Sequence, residues 1–191
     1  MIISHTYKFI FIQPKKTGTT AIVRELTNNL KSTDFIYKAR NRHDNLINFS
    51  LDPKILKEYY IFSCRRNPWA RLLSYYYWAR YNSPRHKLAK ELEFLPWLER
   101  RPITKDLEVC WKQTCDRDGI QLASKICEIE NLQEDFDEVC DSTGMPRMHL
   151  PHVNATDHEH YSTYYDERSK NITEKIYKLD IEKFGYKFEV K

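Results

Sequence analysis

Glycine is scarce, with four in 191 residues, and proline numbers only eight, which excludes collagen-like and low-complexity chains. The five cysteines (Cys64, Cys110, Cys115, Cys127 and Cys140) are an odd number with no C-x-x-C pair among them. No matching histidine pair accompanies them, so a zinc site is not expected, and reduced, mostly buried thiols are the expected state. A large excess of charge of one sign is also missing, since 31 Lys+Arg stand against 27 Asp+Glu for a net +4. Blanket binding to nucleic acid or to membranes is therefore not expected, and a local anion site fits better. No apolar run approaches the ~20 residues that cross a bilayer, and the short run in MIISHTYKFIFIQPKK precedes no small-residue cleavage site. A protein without membrane insertion, resident in the cytoplasm, is the expectation.

Aromatic residues make up 14% of the chain, thirteen of them tyrosine, and this argues for a packed core. The length predicts one domain over residues 1–191. Residues 7–13 (YKFIFIQ) predict a buried strand, and TGTTAIVRELTNNL continues with Ala21, Ile22, Leu26 and Leu30 at helical spacing. Thr17 or Thr19 is placed to cap that helix. A second strand is predicted at 59–64, with Pro68 opening the next helix, and a third at about 125–130, followed by a helix that stops at Gly144. Strands alternating with helices predict an α/β fold with a mainly parallel sheet flanked by helices. Residues 84–118 read as helical and charged with Trp97 and Trp111 as packing anchors, residues 145–165 as loop, and the C-terminal tail as a helix plus a short segment.

Two segments carry chemistry. In FIFIQPKKTGTTAI, Gly18 permits a tight turn, and Thr17, Thr19 and Thr20 offer hydroxyls and N–H groups at a helix N-terminus, a natural anion site. Lys15 and Lys16 sit on the strand side of that turn, within reach of a bound phosphate. The lysine precedes the glycine, so the Walker pattern is absent, which weakens an NTPase or kinase reading. An ordinary turn with two solvated lysines is the plain alternative. In IFSCRRNPWARLLSYYYW a strand end again meets a helix start. Arg66 offers a planar fork of donors to a phosphate, and Ser74, two turns on, a hydroxyl. The alternative there is that Arg65, Arg66 and Arg71 decorate the helix start and its solvent face.

These two motifs, in this order, resemble the sulfotransferases that use 3′-phosphoadenosine-5′-phosphosulfate (PAPS), and most of all the carbohydrate branch with its 2-O- and 4-O-sulfating enzymes. The segments ICEIENLQEDFDEVC, LPHVNAT and IYKLDIEKFGYKF resemble the C-terminal half of that branch, so the likeness covers nearly the whole chain. The resemblance implies a P-loop-like sulfotransferase fold, PAPS as sulfuryl donor, no metal and a hydroxyl acceptor on a saccharide. It implies that Lys16 touches the 5′-phosphosulfate and assists departure of the bridging oxygen, that Thr17, Gly18, Thr19 and Thr20 wrap the 5′-phosphate, and that Arg66 and Ser74 hold the 3′-phosphate. Many members carry the lysine directly after proline, which leaves Lys15 as the alternative to Lys16. His43, in a polar stretch between the two motifs, matches the region of the base histidine in 2-O-sulfating members, with Asp44 as its orienting partner or as the base itself. His152 and Asn154 are weaker candidates near the donor and acceptor. Arg40, Arg42, Arg80 and Arg85 are candidates to receive an acidic sugar chain. The competing functions are a nucleotide kinase-like phosphotransferase and a non-catalytic module that binds a phosphonucleotide.

Overall fold

The first apolar run alternates, and both of its faces are buried. Phe9 and Phe11 pack with Phe62, Cys64 and Cys127, while Ile10 and Ile12 pack with Met1, Ile3 and Ile61. Strand side chains point alternately to opposite faces, so this pattern requires a sheet covered on both sides. In the computed structural model, which describes residues 1–29, 43, 45–48, 51–100, 107–151 and 159–191, that sheet has four strands. They are β1 (Ile2–Ser4), β2 (Phe9–Phe11), β3 (Tyr60–Arg65) and β4 (Lys125–Glu128), ordered β1-β2-β3-β4. β2–β3 and β3–β4 are parallel, with Ile10 opposite Ile61 and Cys64 opposite Cys127, and β1 is antiparallel to β2.

The fold is the expected α/β class with a mainly parallel sheet, but its first strand differs from the expectation. The run 7–13 contributes only three strand residues, and an antiparallel β1 precedes it. Residues 5–8 are taken up by the turn of this hairpin, where Lys8 has φ +49, and Pro14 has no N–H to extend the ladder.

The helices are α1 (Thr19–Asn29), α2 (Pro53–Glu58), α3 (Pro68–Asn82), α4 (Lys87–Glu91), α5 (Phe94–Arg100), α6 (Cys110–Gln113), α7 (Leu132–Thr143) and α8 (Glu167–Phe184). The chain divides into two compact units, Met1–Arg65 with Cys110–Val153, and Arg66–Val109 with Asn154–Lys191. In the first unit α1 lays Ile22 and Leu26, and α7 lays Phe136, Val139 and Cys140, in one cluster with the phenylalanines of the sheet. The α7 helix ends on Gly144 at φ +72, the expected left-handed stop. Trp111, expected as a packing anchor, is only half-buried in this unit.

The core of the second unit is aromatic, with Trp69, Tyr75, Tyr76, Trp97 and Tyr177 all at or below 2% exposure. Asn67 caps α3 by accepting from the N–H groups of Trp69 and Ala70, and Pro68 stands at the first helical position. The same Asn67 amide donates to the Tyr161 hydroxyl and the Lys187 carbonyl, so the asparagine of the RNP motif is a structural tie. Arg71 is fully buried, contrary to a place on the solvent face. It donates to the Glu108 carbonyl at 3.0 Å, lies 3.8 Å from the Asp180 carboxylate, and faces the Tyr177 ring. Arg80 is likewise engaged within the fold. Its guanidinium binds the Tyr76 hydroxyl, the Ala89 and Leu92 carbonyls and the Glu93 carboxylate, fastening α3 to α4 and to the two residues that lead into α5. The α8 helix starts with a reciprocal cap between Asp166 and Ser169.

Candidate active site

The residues between β2 and α1 form the loop on which the expected phosphate site rests. Gln13 and Pro14 are buried, Lys15 and Lys16 half-buried, Thr17 fully buried and Thr20 exposed. Lys16 takes φ +65, a left-handed conformation that costs a side-chain-bearing residue about 1–2 kcal/mol. Such strain persists where surrounding structure imposes it, and it clusters at functional sites.

Gly18 follows at φ +80, and a Cβ built on it would meet Leu132 Cδ2 at 3.0 Å and Ile129 Cγ1 at 3.1 Å. The loop is thus seated on the residues that open α7. The Thr17 hydroxyl does not cap α1 as expected. It donates backwards to the Pro14 carbonyl at 2.9 Å and closes the loop from inside.

The loop also carries backbone donors. The Ala21 N–H bonds the Gly18 carbonyl, but among the described residues the N–H groups of Thr17, Gly18, Thr19 and Thr20 donate to no protein acceptor. Four successive donors at or just before the positive end of an eleven-residue helix, with two lysines just before them, are an arrangement that can cradle an anion.

His43 is brought to the same place. Its Nδ1 lies 2.7 Å from the Gln13 carbonyl oxygen, one residue before the loop's proline. A carbonyl only accepts, so Nδ1 carries the proton in this contact, and in the neutral ring the lone pair sits on Nε2. Nothing in the sequence pattern signals this contact, because the partner is a main-chain atom thirty positions away.

At the end of β3, Arg65 is spoken for, with its guanidinium 3.1 Å from the Glu128 carboxylate on the neighbouring strand. Arg66 and Ser74 belong to the second unit. Arg66 is half-buried just before the Asn67 cap, and Ser74 is 5% exposed, seven residues beyond that cap. Seven residues are close to two full turns, so Ser74 shares the helical face of the cap about 10 Å further along.

All five cysteines are free and buried, burial pushes Cys64 well up, and it raises Cys140 to about 11. Arg85 is exposed, and His160 accepts from the Ser162 N–H at the start of a short 3₁₀ turn. Arg40, Arg42, Asp44, His152 and Asn154 lie outside the described residues. Among the described residues no cluster of His, Cys, Asp and Glu is arranged to hold a metal ion, and no helix is long and apolar enough to cross a membrane.

No curated protein and no solved structure matches the chain. A model of the sulfotransferase family matches residues 1–187, a span that takes in the anion loop, His43, the β3–α3 junction and α8. With a mainly parallel sheet flanked by helices and a match running almost end to end, this chain belongs to the sulfotransferase family, enzymes that move a sulfuryl group from a donor to an acceptor.

Proposed function

We propose that the protein transfers the sulfuryl group of PAPS to a hydroxyl of a saccharide, and that the matched span works as one catalytic domain. PAPS supplies an activated sulfuryl group, and the chain supplies binding charge and a base. The N–H groups of Thr17, Gly18, Thr19 and Thr20 receive the 5′-phosphate, and Arg66 with Ser74 receives the 3′-phosphate. Lys16, beside Lys15, neutralises charge on the bridging oxygen. The strained backbone of Lys16 favours it over Lys15 as the lysine held in a required place. His43 takes the proton of the acceptor hydroxyl on Nε2 as the new O–S bond forms and the bond to the bridging oxygen breaks. Adenosine 3′,5′-bisphosphate and a sulfate ester leave.

The observation that carries this reading is the meeting of an anion cradle with an imidazole whose proton is held on the far nitrogen by Gln13. A saccharide acceptor is supported by the likeness of the RNP-x-x-R-L-x-S-x-Y, LPHVNAT and C-terminal segments to the carbohydrate branch. The test is incubation with ³⁵S-labelled PAPS and a panel of saccharides, simple alcohols and phenols. Label is expected on saccharides. Transfer to phenols alone would move the acceptor class, and Mg²⁺-dependent turnover of ATP with no sulfuryl transfer would replace the reaction.

A further inference from the structure

We infer that Thr17 is a positioning residue for His43, acting through the two main-chain carbonyls that join them; this rests on His43 being the base of the transfer proposed above. Gln13 and Pro14 are consecutive, and the carbonyl of each is engaged. The first accepts from His43 Nδ1 at 2.7 Å and the second from the Thr17 hydroxyl at 2.9 Å. Between these two carbonyls the chain has little freedom. The Gln13–Pro14 peptide is planar, and the proline ring fixes φ of Pro14 near −65°. The one soft dihedral left between the two carbonyl planes is ψ of Pro14. A hydrogen bond that holds the Pro14 carbonyl therefore leaves the Gln13 carbonyl only that one dihedral in which to turn.

Burial makes this hold effective. Thr17 is at 0% exposure and Gln13 at 3%, so water does not readily replace the hydroxyl. The consequence reaches the imidazole because the direction of the Gln13 carbonyl selects its tautomer. An imidazole in the opposite tautomer presents an N–H where a lone pair is needed. In a serine-protease triad that fault lowers kcat by about 10⁴. The threonine of the anion loop thus helps in two ways, lending its N–H to the cradle and its hydroxyl to the alignment of the base.

The test uses ¹⁵N spectra of the imidazoles in the full-length protein, with the His43 signals assigned from His43→Ala. In the native protein His43 should show a protonated Nδ1 and an unprotonated Nε2. In Thr17→Val, which keeps shape and burial but loses the donor, the signals should move towards the opposite tautomer. Its kcat should fall by about 10- to 100-fold, the loss seen when the partner orienting a metal-bound imidazole is removed. Affinity for adenosine 3′,5′-bisphosphate should stay within about twofold by titration, since the N–H donors remain, and Thr17→Ser should restore both spectrum and rate.

A native spectrum with the proton on Nε2 overturns the proposal without any variant. So does a Thr17→Val spectrum like the native one, whatever its rate, or a loss of nucleotide affinity that accounts for the whole loss of turnover. Full turnover in His43→Ala would overturn the base assignment and this proposal with it. That failure is recognisable, because native and Thr17→Val spectra would still differ.

Discussion

Gly18→Ala separates two reasons for a glycine that the sequence alone cannot tell apart. The first is backbone, since an alanine at φ +80 costs about 1–2 kcal/mol in any setting. The second is space. The new Cβ would lie 3.0 Å from Leu132 Cδ2, with Ile129 Cγ1 and Cδ1 at 3.1 and 3.3 Å. Overpacking costs about 1–3 kcal/mol, and because the facing atoms are side-chain carbons that can yield, about 1 kcal/mol is expected here. The sum is about 2–3 kcal/mol, which for a chain of this size lowers Tm by about 4–12 °C. Gly119→Ala is the built-in control, because Gly119 has the same φ and nothing within 4 Å of its missing Cβ. Thermal and urea unfolding followed by circular dichroism on both variants gives the contact contribution as their difference, about 1 kcal/mol. The loop should also lose affinity for adenosine 3′,5′-bisphosphate in Gly18→Ala but not in Gly119→Ala. Equal stability losses in the two variants would refute the claim that the loop is seated on the start of α7.

Adenosine 3′,5′-bisphosphate at ~100 times its dissociation constant should stabilise the protein by about 2.7 kcal/mol in a thermal-shift titration, and AMP should do much less; equal shifts would remove the 3′-phosphate role of Arg66 and Ser74. Arg66→Ala should weaken that nucleotide by about 10- to 100-fold by calorimetry and Ser74→Ala by less, since charge-assisted hydrogen bonds are worth about 1.5–3 kcal/mol against ~0.5–1.5 for neutral ones; an unfolded Arg66→Ala would make that arginine structural, as Arg71 is. Lys16→Ala should lower turnover by about 10²–10³ and some nucleotide affinity with it. His43→Ala should lose about 10²–10⁴ in rate at unchanged affinity, and should lose the rise in native rate with pH that a deprotonating base produces. Thiols raised by burial stay protonated in the folded chain after those of the unfolded chain ionise near pH 8.5, so stability should decline from about pH 8.5 towards pH 11. Urea midpoints at pH 7.5 and 10.5 check this, and a Cys140→Ala variant with an undiminished decline would clear that thiol of blame.

The elements legible in the sequence were those whose signals are local. Asn67-Pro68 marks the start of α3 and Gly144 the end of α7, since a cap and a left-handed stop depend on a few neighbouring residues. β1 was not legible, because three residues of strand in a hairpin carry too little pattern and their pairing is made elsewhere. The arginines show the limit most sharply. Arg65, Arg66, Arg71 and Arg80 look alike along the chain, yet Arg65 bridges to Glu128, Arg71 is buried against Asp180, and Arg80 ties α3 to α4 and the residues after it. Those roles depend on partners as far as 109 positions away, which no local spacing reveals. The turn between β2 and α1 was readable from K-T-G-T-T, but the use of the Thr17 hydroxyl and the carbonyl that holds His43 are main-chain geometry and leave no trace in residue identity.

The division of the chain into two interleaved units has a consequence for its birth on the ribosome. The sheet of the first unit lacks β4 until residue 128 has emerged, although β1, β2 and β3 are made within the first 65 residues. The second unit waits longer still. Arg71 is synthesised early, but Asp180 and the ring of Tyr177 arrive only with α8, more than a hundred residues later. At about 5–20 residues per second the arginine and the apolar face of α3 spend several seconds or more without their native partners. Neither unit is one contiguous stretch, so the order of synthesis imposes a late completion on each, the second after the first. A stalled or truncated chain ending before α8 would expose the aromatic surface that α8 covers in the second unit, a surface suited to capture by chaperones.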